Sequence, residues 1–307
     1  TEFRNEGISS NVLGTDLKEP QEVPSEEGKF FTKGANRTNI SFFLEHNILL
    51  HRFTLSAGLL ANYHTDLDNK IRLYPGIDAS YRIADNIKVY GSWNRALRMP
   101  TFTDLYYKSK TNIGNPNLLP EESEAFEAGV KYGNHFLNGH IAGFYRKGSN
   151  MIDWVKAKPE DLWESKNLTE VNNLGIEANI TLLPRELMGE GFFIHKASVA
   201  YALIDQDKSI EGYISNYALD YLKHKFTAQF SHTLWKDLSL TWYARWQDRA
   251  GGYTKYEALK PSYEESYAPY CVVDLNLSYP IRAFTLYAEV NNLLNTTYYD
   301  LGNIPQQ

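Results

Sequence analysis

One pattern runs through almost the whole chain: segments of about 10–14 residues in which apolar and polar side chains alternate. Between Ile87 and Asn94, for example, Ile, Val, Gly and Trp occupy one set of alternate positions, and Lys, Tyr, Ser and Asn occupy the other. Successive side chains of a β-strand point to opposite faces, so this period of two predicts strands with one apolar face. Segments of this length exceed the usual strand of about 5–6 residues and suffice for a tilted membrane crossing of about 9–11 residues.

The connections between these segments fall into two classes that alternate along the chain. The short connections are 50–51, 85–86, 133–134, 236–237 and 280–282, and the long ones are 97–120, 148–167, 205–219 and 248–266. An up-and-down meander places successive connections at opposite ends of its sheet, so tight turns are expected at one end and large loops at the other. The fold prediction is therefore an all-β, antiparallel up-and-down meander of about 12 strands.

The central stretch shows how one long connection is built. Pro100 lacks an N–H group, so the strand before it is expected to end near Arg98. The Asn-Pro-Asn sequence at 115–117 is turn chemistry, and 121–132 is then the returning strand. Elsewhere, residues 12–33 are rich in Pro, Gly and acidic side chains and are expected to be a solvated loop, and single helical turns are expected at 101–107 or 185–189.

Composition narrows the function classes. No apolar run reaches about 18 residues, which excludes a transmembrane helix. The aromatic content of 14% suits either a belt at a lipid interface or a carbohydrate-binding surface. The net charge of −6 argues against nucleic acid as a partner. The single cysteine, Cys271, excludes an intrachain disulfide and alternates with Val273 and Leu275, so we interpret it as a small apolar-face residue.

Ligand contact is predicted for aromatic and basic side chains in the long connections. An aromatic ring there could contact a ligand, pack the loops or lie at the headgroup level of a membrane. Arg98, at a strand-to-loop junction, could contact a ligand or a lipopolysaccharide phosphate, or form an interior ion pair. The candidates for ligand binding are Arg98, Tyr106, Tyr107, Trp163, Tyr253 and Tyr256.

Alternating oxygen-bearing side chains after residue 204 suggest a calcium site, with Asp205, Asp207, Ser209 and Glu211 as its candidate ligands. The full twelve-residue ligand spacing of a calcium loop is missing, so a solvated acidic loop is the alternative. No other cofactor is expected, because the eight His residues show no metal-ligand spacing. No nucleophile elbow or catalytic triad can be recognised either, and we expect no enzymatic activity.

Four motifs carry a family resemblance: VYGSWNRALRMPTFTDLYY (89–107), GNPNLLPEESEAFEAGVKY (114–132), NNLGIEANIT (172–181) and AEVNNLLNTTYYD (288–300). In their order and spacing they resemble the C-terminal half of TonB-dependent outer-membrane receptors, and within that family the cobalamin-receptor branch. The resemblance implies a 22-stranded barrel in the bacterial outer membrane, filled by an N-terminal plug, that takes up a scarce nutrient such as cobalamin or an iron-siderophore.

The resemblance also implies partners and a domain boundary. We expect residues 1–307 to be a single partial β-barrel domain that lacks the plug and the final strand. The implied partners are the TonB complex, reached through the plug, a small-molecule nutrient, outer-membrane lipid and lipopolysaccharide, and a surface lipoprotein. Two alternatives remain open from the residues themselves: a surface-exposed or secreted glycan-binding β-protein, and an outer-membrane hydrolase.

Overall fold

The computed structural model describes residues 1–24, 26–65, 70–208, 212–215, 221–255, 263–300, 302 and 304–306. The strands are β1 (Glu2–Ser10), β2 (Thr15–Glu22), β3 (Phe30–Leu49), β4 (Phe53–His64), β5 (Arg72–Ala84), β6 (Ile87–Arg98), β7 (Asn112–Ile113), β8 (Glu121–Gly133), β9 (Leu137–Lys156), β10 (Trp163–Leu182), β11 (Ile194–Lys208), β12 (Ile214–Ser215), β13 (Tyr221–Trp235), β14 (Leu238–Ala250), β15 (Gly252–Lys255), β16 (Tyr263–Ser266), β17 (Tyr270–Ile281), β18 (Phe284–Val290), β19 (Tyr298–Tyr299) and β20 (Pro305–Gln306). Two short helices complete the elements, α1 (Phe102–Tyr106) and α2 (Pro184–Met188).

One antiparallel meander dominates the described residues. Its strand order is β1-β3-β4-β5-β6-β8-β9-β10-β11-β13-β14-β17-β18, while β2, β7 and β12 pair at its loop end with β3, β10 and β9. Tight turns such as 50–52 and 236–237 close one end of this sheet, and the long connections leave from the other. The predicted all-β meander is confirmed, and its tight-turn end holds one longer connection, 183–193, which contains α2.

The register separates two faces of the sheet. In one row Ile77, Trp93, Phe126, Tyr145 and Leu174 are directly paired across five strands. We call the side that carries this row the apolar face; all of the row except Trp93 is exposed, Phe126 to 45% and Leu174 to 60%. The next row, on the opposite side, begins Asp78, Ser92 and Glu127, and we call that side the polar face. An apolar face this exposed is typical of a sheet that lies against lipid.

Several predicted loops contain more strand than expected. Residues 12–33 are not a single solvated loop, because Thr15–Glu22 pairs with β3 across a bulge. The connection 148–167 is also shorter than predicted, since β9 and β10 continue past the sheet as a paired hairpin and leave only 157–162 unpaired. The connection 205–219 begins later than predicted, after Lys208, and 248–266 contains the hairpin β15–β16. These segments do not alternate regularly between apolar and polar residues, so the sequence pattern did not predict their pairing.

Both predicted helical turns are present. Thr101 caps α1 through a reciprocal bond with Asp104: the Thr101 hydroxyl accepts from the Asp104 N–H at 3.1 Å, and the Asp104 carboxylate accepts from the Thr101 N–H at 2.9 Å. Pro184 begins α2, where its missing N–H has no cost. Neither helix, nor any other among the described residues, has the length and apolar character needed to cross a membrane.

Candidate ligand-binding site

A row of polar side chains crosses three strands of the polar face near the loop end. Arg146 on β9 pairs with Asn173 on β10, and Asn173 pairs with Gln206 on β11. Directly paired residues project to the same side, so the three side chains lie next to one another. They line a pocket of about 230 Å³ together with Arg98, Glu121, Ser123 and Val171.

The row offers hydrogen-bonding groups that the protein leaves free. Within the described residues, the side chain of Arg146 has no hydrogen-bond or ion-pair partner, and it is exposed to the pocket. The side-chain carbonyl of Gln206 is buried and likewise has no hydrogen-bond partner in the part of the chain described. Buried polar groups are normally satisfied, so an unpaired acceptor beside a free guanidinium indicates a surface prepared for a polar ligand.

The opposite wall of the pocket is fixed by a fork-shaped ion pair. The guanidinium of Arg98 donates two hydrogen bonds to the carboxylate of Glu121, a residue only 6% exposed. One Glu121 oxygen also accepts a hydrogen bond from the Ile152 N–H at 2.8 Å. Arg98 therefore lies in the pocket wall, with its guanidinium held by Glu121 in an interior ion pair. Direct ligand contact by Arg98 stays a prediction.

A single amide side chain joins two segments at the long-loop end of the sheet. The Asn167 side-chain carbonyl accepts from the Leu119 N–H at 2.9 Å, and its NH₂ group donates to the Leu119 carbonyl at 3.0 Å. The same NH₂ group donates to the carbonyl of Asn150 at 2.6 Å. Asn167 thus joins the long connection 99–120 to the β9–β10 hairpin. We call these two segments, 99–120 and 149–167, the cap.

The cap is packed by aromatic and apolar side chains. Tyr107 contacts Trp154 edge to face, with ring centroids 6.4 Å apart, and Tyr106 stacks on Phe102 at 6.4 Å. The ammonium of Lys156 lies 4.5 Å from the centroid of the Trp163 ring. The structure therefore shows Tyr106, Tyr107 and Trp163 in packing contacts within the loops, and ligand contact by these rings stays a prediction.

A second loop group lies beyond β14. Tyr253 is 7% exposed and stacks on Tyr299, with ring centroids 5.0 Å apart, and this burial raises the pKa of its phenol. Lys255 forms an ion pair with Glu265 across the β15–β16 hairpin at 2.6 Å, and the hydrogen bond to that carboxylate raises the pKa of Lys255. Tyr256 lies outside the described residues.

The predicted calcium ligands are only partly described. Asp205 and Asp207 lie on strand β11, paired with Leu174 and Asn172, and both are exposed. Ser209 and Glu211 lie outside the described residues. Within the described ranges, no group of three or more His, Cys, Asp or Glu side chains is placed to hold a metal ion.

The sequence prediction did not find Arg146, Asn173 or Gln206. Each stands singly in its strand, and only the register of β9, β10 and β11 brings them together. The signal that was available is the alternation along each strand, which places all three residues on the polar face. Sequence reasoning favoured the loops instead, because binding residues are often found there.

The family of the chain follows from its match to a family model. Residues 3–293 match the model of the TonB dependent receptor-like β-barrel. The chain belongs to this family. The predicted membership is therefore confirmed, and with it the fold of a receptor barrel and the outer-membrane location of such barrels. The family is one of receptors and transporters.

Similar proteins extend the comparison. A vitamin B12 transporter, BtuB, from Vibrio vulnificus is 24% identical over 276 residues, which cover 86% of this chain and 40% of that protein. BtuB from Photobacterium profundum is 26% identical over 224 residues, covering 71% of this chain and 33% of that protein. This chain thus spans well under half the length of these two relatives.

Solved structures show the same fold. A ferric enterobactin receptor, PfeA, from Pseudomonas aeruginosa superposes with a TM-score of 0.72 at 20% identity, covering 98% of this chain and 46% of that one. The FrpB iron transporter from Neisseria meningitidis gives a TM-score of 0.64 at 14% identity, covering 89% and 44%. At these identities the likeness concerns the architecture alone.

Proposed function

We propose that the chain is the barrel portion of an outer-membrane receptor for TonB-dependent uptake of a large scarce nutrient, a cobalamin or an iron-siderophore. The polar face lines the lumen of the barrel and the apolar face contacts lipid. The observation that carries the proposal is the in-register row Arg146-Asn173-Gln206, which lines the polar-face pocket together with Met151 of the cap. Family membership supports the transport role, and the named relatives support the two nutrient classes.

In this proposal the protein binds and does not perform covalent chemistry. Arg146 donates to oxygen atoms of the nutrient, Asn173 can donate and accept, and the free carbonyl of Gln206 accepts. The Arg98–Glu121 ion pair keeps the wall rigid, because neither of its members can turn toward a ligand without leaving a partner charge unpaired. The cap then excludes water above the bound nutrient.

The remaining partners and the domain boundary also belong to this proposal. Residues 1–307 act as one barrel domain, and a plug supplied by the full-length receptor connects it to the TonB complex. Contacts with lipopolysaccharide and with a surface lipoprotein stay predictions. Calcium binding by Asp205, Asp207, Ser209 and Glu211 also stays a prediction.

The test is nutrient uptake by the full-length receptor in cells that lack their own receptors. We expect energised uptake of labelled vitamin B12 or of a ferric siderophore, and its loss in cells without TonB. Arg146→Gln removes the free charge and keeps hydrogen-bonding capacity, and it should weaken nutrient binding about tenfold, the usual effect of one charge-assisted hydrogen bond. Lys108→Gln, a charge change in the cap at a side chain away from the pocket, is the matched control.

Two results would contradict this proposal, in different ways. If the receptor is present in the outer membrane and neither nutrient is bound or taken up, the proposed function is wrong. If uptake occurs and Arg146→Gln binds as tightly as the wild type, the nutrient is held elsewhere, and the loop aromatic residues become the candidates.

A further inference from the structure

A row of polar side chains crosses the apolar face on the long-loop side of the row that contains Trp93 and Phe126. It lies two residues further along each strand. A step of two residues returns to the same face of a strand, and directly paired residues share a face. The second row therefore lies on the same side of the sheet as the apolar one. It runs in register across five strands, and we call it the charged row: Arg95, Glu124, Lys147, Asn172 and Asp207.

Two aromatic side chains of the apolar face direct their polar atoms to the charged row. The indole N–H of Trp93 donates to the carboxylate of Glu124 at 2.7 Å, and the hydroxyl of Tyr145 donates to the side-chain carbonyl of Asn172 at 3.2 Å. The Trp93 ring lies beside Phe126, with ring centroids 6.5 Å apart. Trp and Tyr take this orientation where hydrocarbon meets lipid headgroups, with the ring in the one and the polar atom in the other. The charged row therefore lies at headgroup level.

The charged row contains two basic side chains with donors to spare. The ammonium of Lys147 lies 3.0 Å from the carboxylate of Glu170, and the guanidinium of Arg95 lies 3.5 Å from that of Glu122. Glu122 is shared, because Arg72 also lies 3.3 Å from it. An ammonium has three N–H donors and a guanidinium has five, and the two side chains are 43% and 41% exposed. Arg95 and Lys147 can therefore each donate to another oxygen.

The carboxylates of the charged row leave these two bases open on the lipid side. Glu124, between Arg95 and Lys147, accepts the hydrogen bond from Trp93. Asp207 lies two strands beyond Lys147, which is roughly 10 Å by the spacing of strands. A phosphate oxygen approaching from the lipid side can therefore reach either base.

We infer that the charged row binds phosphorylated headgroups of the outer-leaflet lipid, with Arg95 and Lys147 donating to phosphate oxygens. The occupant is a lipid and not a free anion, because the charged row continues directly from an exposed apolar face that contacts hydrocarbon. Basic side chains at a membrane surface attract anionic lipid in this way. The inference rests on the lipid contact stated in the proposed function. It assigns residues to the predicted lipopolysaccharide contact and is independent of the nutrient.

The experiment measures lipid binding by the purified full-length receptor in detergent. Fluorescently labelled lipid A with both phosphates is the probe, and dephosphorylated lipid A is the comparison lipid. The test variant is Arg95→Gln, Lys147→Gln, and Arg95→Lys, Lys147→Arg keeps both charges. The control is Lys88→Gln, Lys225→Gln, which removes the same charge at two exposed positions on the polar face.

We expect the glutamine variant to bind phosphorylated lipid A roughly five to thirty times more weakly, the range for one or two basic residues at an anionic membrane surface. The charge-retaining variant and the control should bind like the wild type, and the dephosphorylated lipid should not distinguish the proteins. Equal binding of phosphorylated lipid A by the wild type and the glutamine variant would overturn the inference. Displacement of the lipid by millimolar inorganic phosphate would also overturn it, since the site would then take a free anion.

A depth measurement separates this inference from the proposed nutrient transport. Nitroxide labels are attached in proteoliposomes at single positions of β8 on the apolar face, in a Cys271→Ala background: Glu124→Cys, Phe126→Cys and Val130→Cys. A water-soluble nickel reagent should reach position 124, whereas oxygen should be favoured at 126 and 130. Nickel access at all three positions, or access of neither reagent at 126 and 130, would contradict the assignment. If this profile and lipid A binding are found and no nutrient is taken up, only the proposed transport fails.

Discussion

Asn167→Asp should loosen the cap while leaving its shape almost unchanged. The aspartate keeps the oxygen that accepts from the Leu119 N–H at 2.9 Å, but it replaces the NH₂ group by a second acceptor. That acceptor would face the carbonyls of Leu119 and Asn150, which now receive hydrogen bonds of 3.0 and 2.6 Å. Two hydrogen bonds are lost, and two oxygen pairs come into repulsive contact.

The free-energy cost of Asn167→Asp depends on how exposed each lost hydrogen bond is. The Leu119 carbonyl is on an exposed residue and can bind water instead, so its loss costs about 1 kcal/mol, whereas the partly buried Asn150 carbonyl costs about 1–2 kcal/mol. The sum of roughly 2–3 kcal/mol corresponds to a local opening of the cap that is about 30 to 150 times more frequent. Backbone amides of 119 and 150–152 should exchange hydrogen faster by that factor in the full-length receptor.

Asn117→Asp is the matched control for this prediction. It makes the same chemical change in the other cap segment, 99–120, at an exposed side chain outside the hydrogen bonds that join the two segments. Its exchange rates should remain within about twofold of the wild type. If Asn167→Asp leaves exchange at 119 and 150–152 unchanged, the amide does not hold the cap together and the reasoning is refuted.

Three further predictions concern the wall and the hairpin. Gly175→Ala should lower stability by roughly 1–3 kcal/mol, because a Cβ there would lie 2.2 Å from the Phe144 ring; urea unfolding in detergent measures it, and an unchanged midpoint contradicts it. Arg98→Met should cost about 2 kcal/mol in the same assay, since it leaves a buried carboxylate without its charge partner, whereas a cost near zero would mean that solvent replaces the guanidinium. The pKa of Lys255 is raised in the folded protein, so its ion pair with Glu265 stabilises the hairpin below the unfolded pKa of about 10.4 and loses that effect as pH rises further. Proteolytic cleavage of the hairpin should accordingly be slower in the wild type than in Glu265→Gln at pH 8, with a difference that narrows above pH 10.4; a constant difference excludes this linkage.

The two faces of the sheet could be predicted from sequence because alternate side chains of any strand point to opposite faces. The alternation between Ile87 and Asn94 correctly assigned Trp93 to the apolar face and Tyr90 to the polar face, and the turn at 115–117 followed from the Asn side chain. The side-chain carbonyl oxygen of Asn115 indeed accepts from the Asn117 N–H at 2.9 Å. These features depend on neighbouring residues in the chain, and sequence contains them directly.

The candidate sites could not be predicted in the same way because they depend on register. Arg146, Asn173 and Gln206 become neighbours only when three strands are aligned to the residue, and nothing in any one strand fixes that alignment. From the sequence, the aromatic rings of the loops were the more obvious candidates for ligand contact. In the structure, Tyr107 and Trp163 pack against other side chains of the cap. Sequence thus predicted which residues face the lumen, and pairing determined which of them act together.

The alternation of lumen-facing and lipid-facing side chains along each strand also limits how such a protein can change during evolution. Inserting one residue into β9 before Tyr145 would send every following side chain to the other face, so that Arg146 would point at lipid and Tyr145 into the lumen. An insertion between 157 and 162, where β9 and β10 are unpaired, moves no wall residue at all. Length variation is therefore tolerable only in the connections, and a lineage can remodel the mouth of its receptor freely while the lumen wall stays fixed in its pairing.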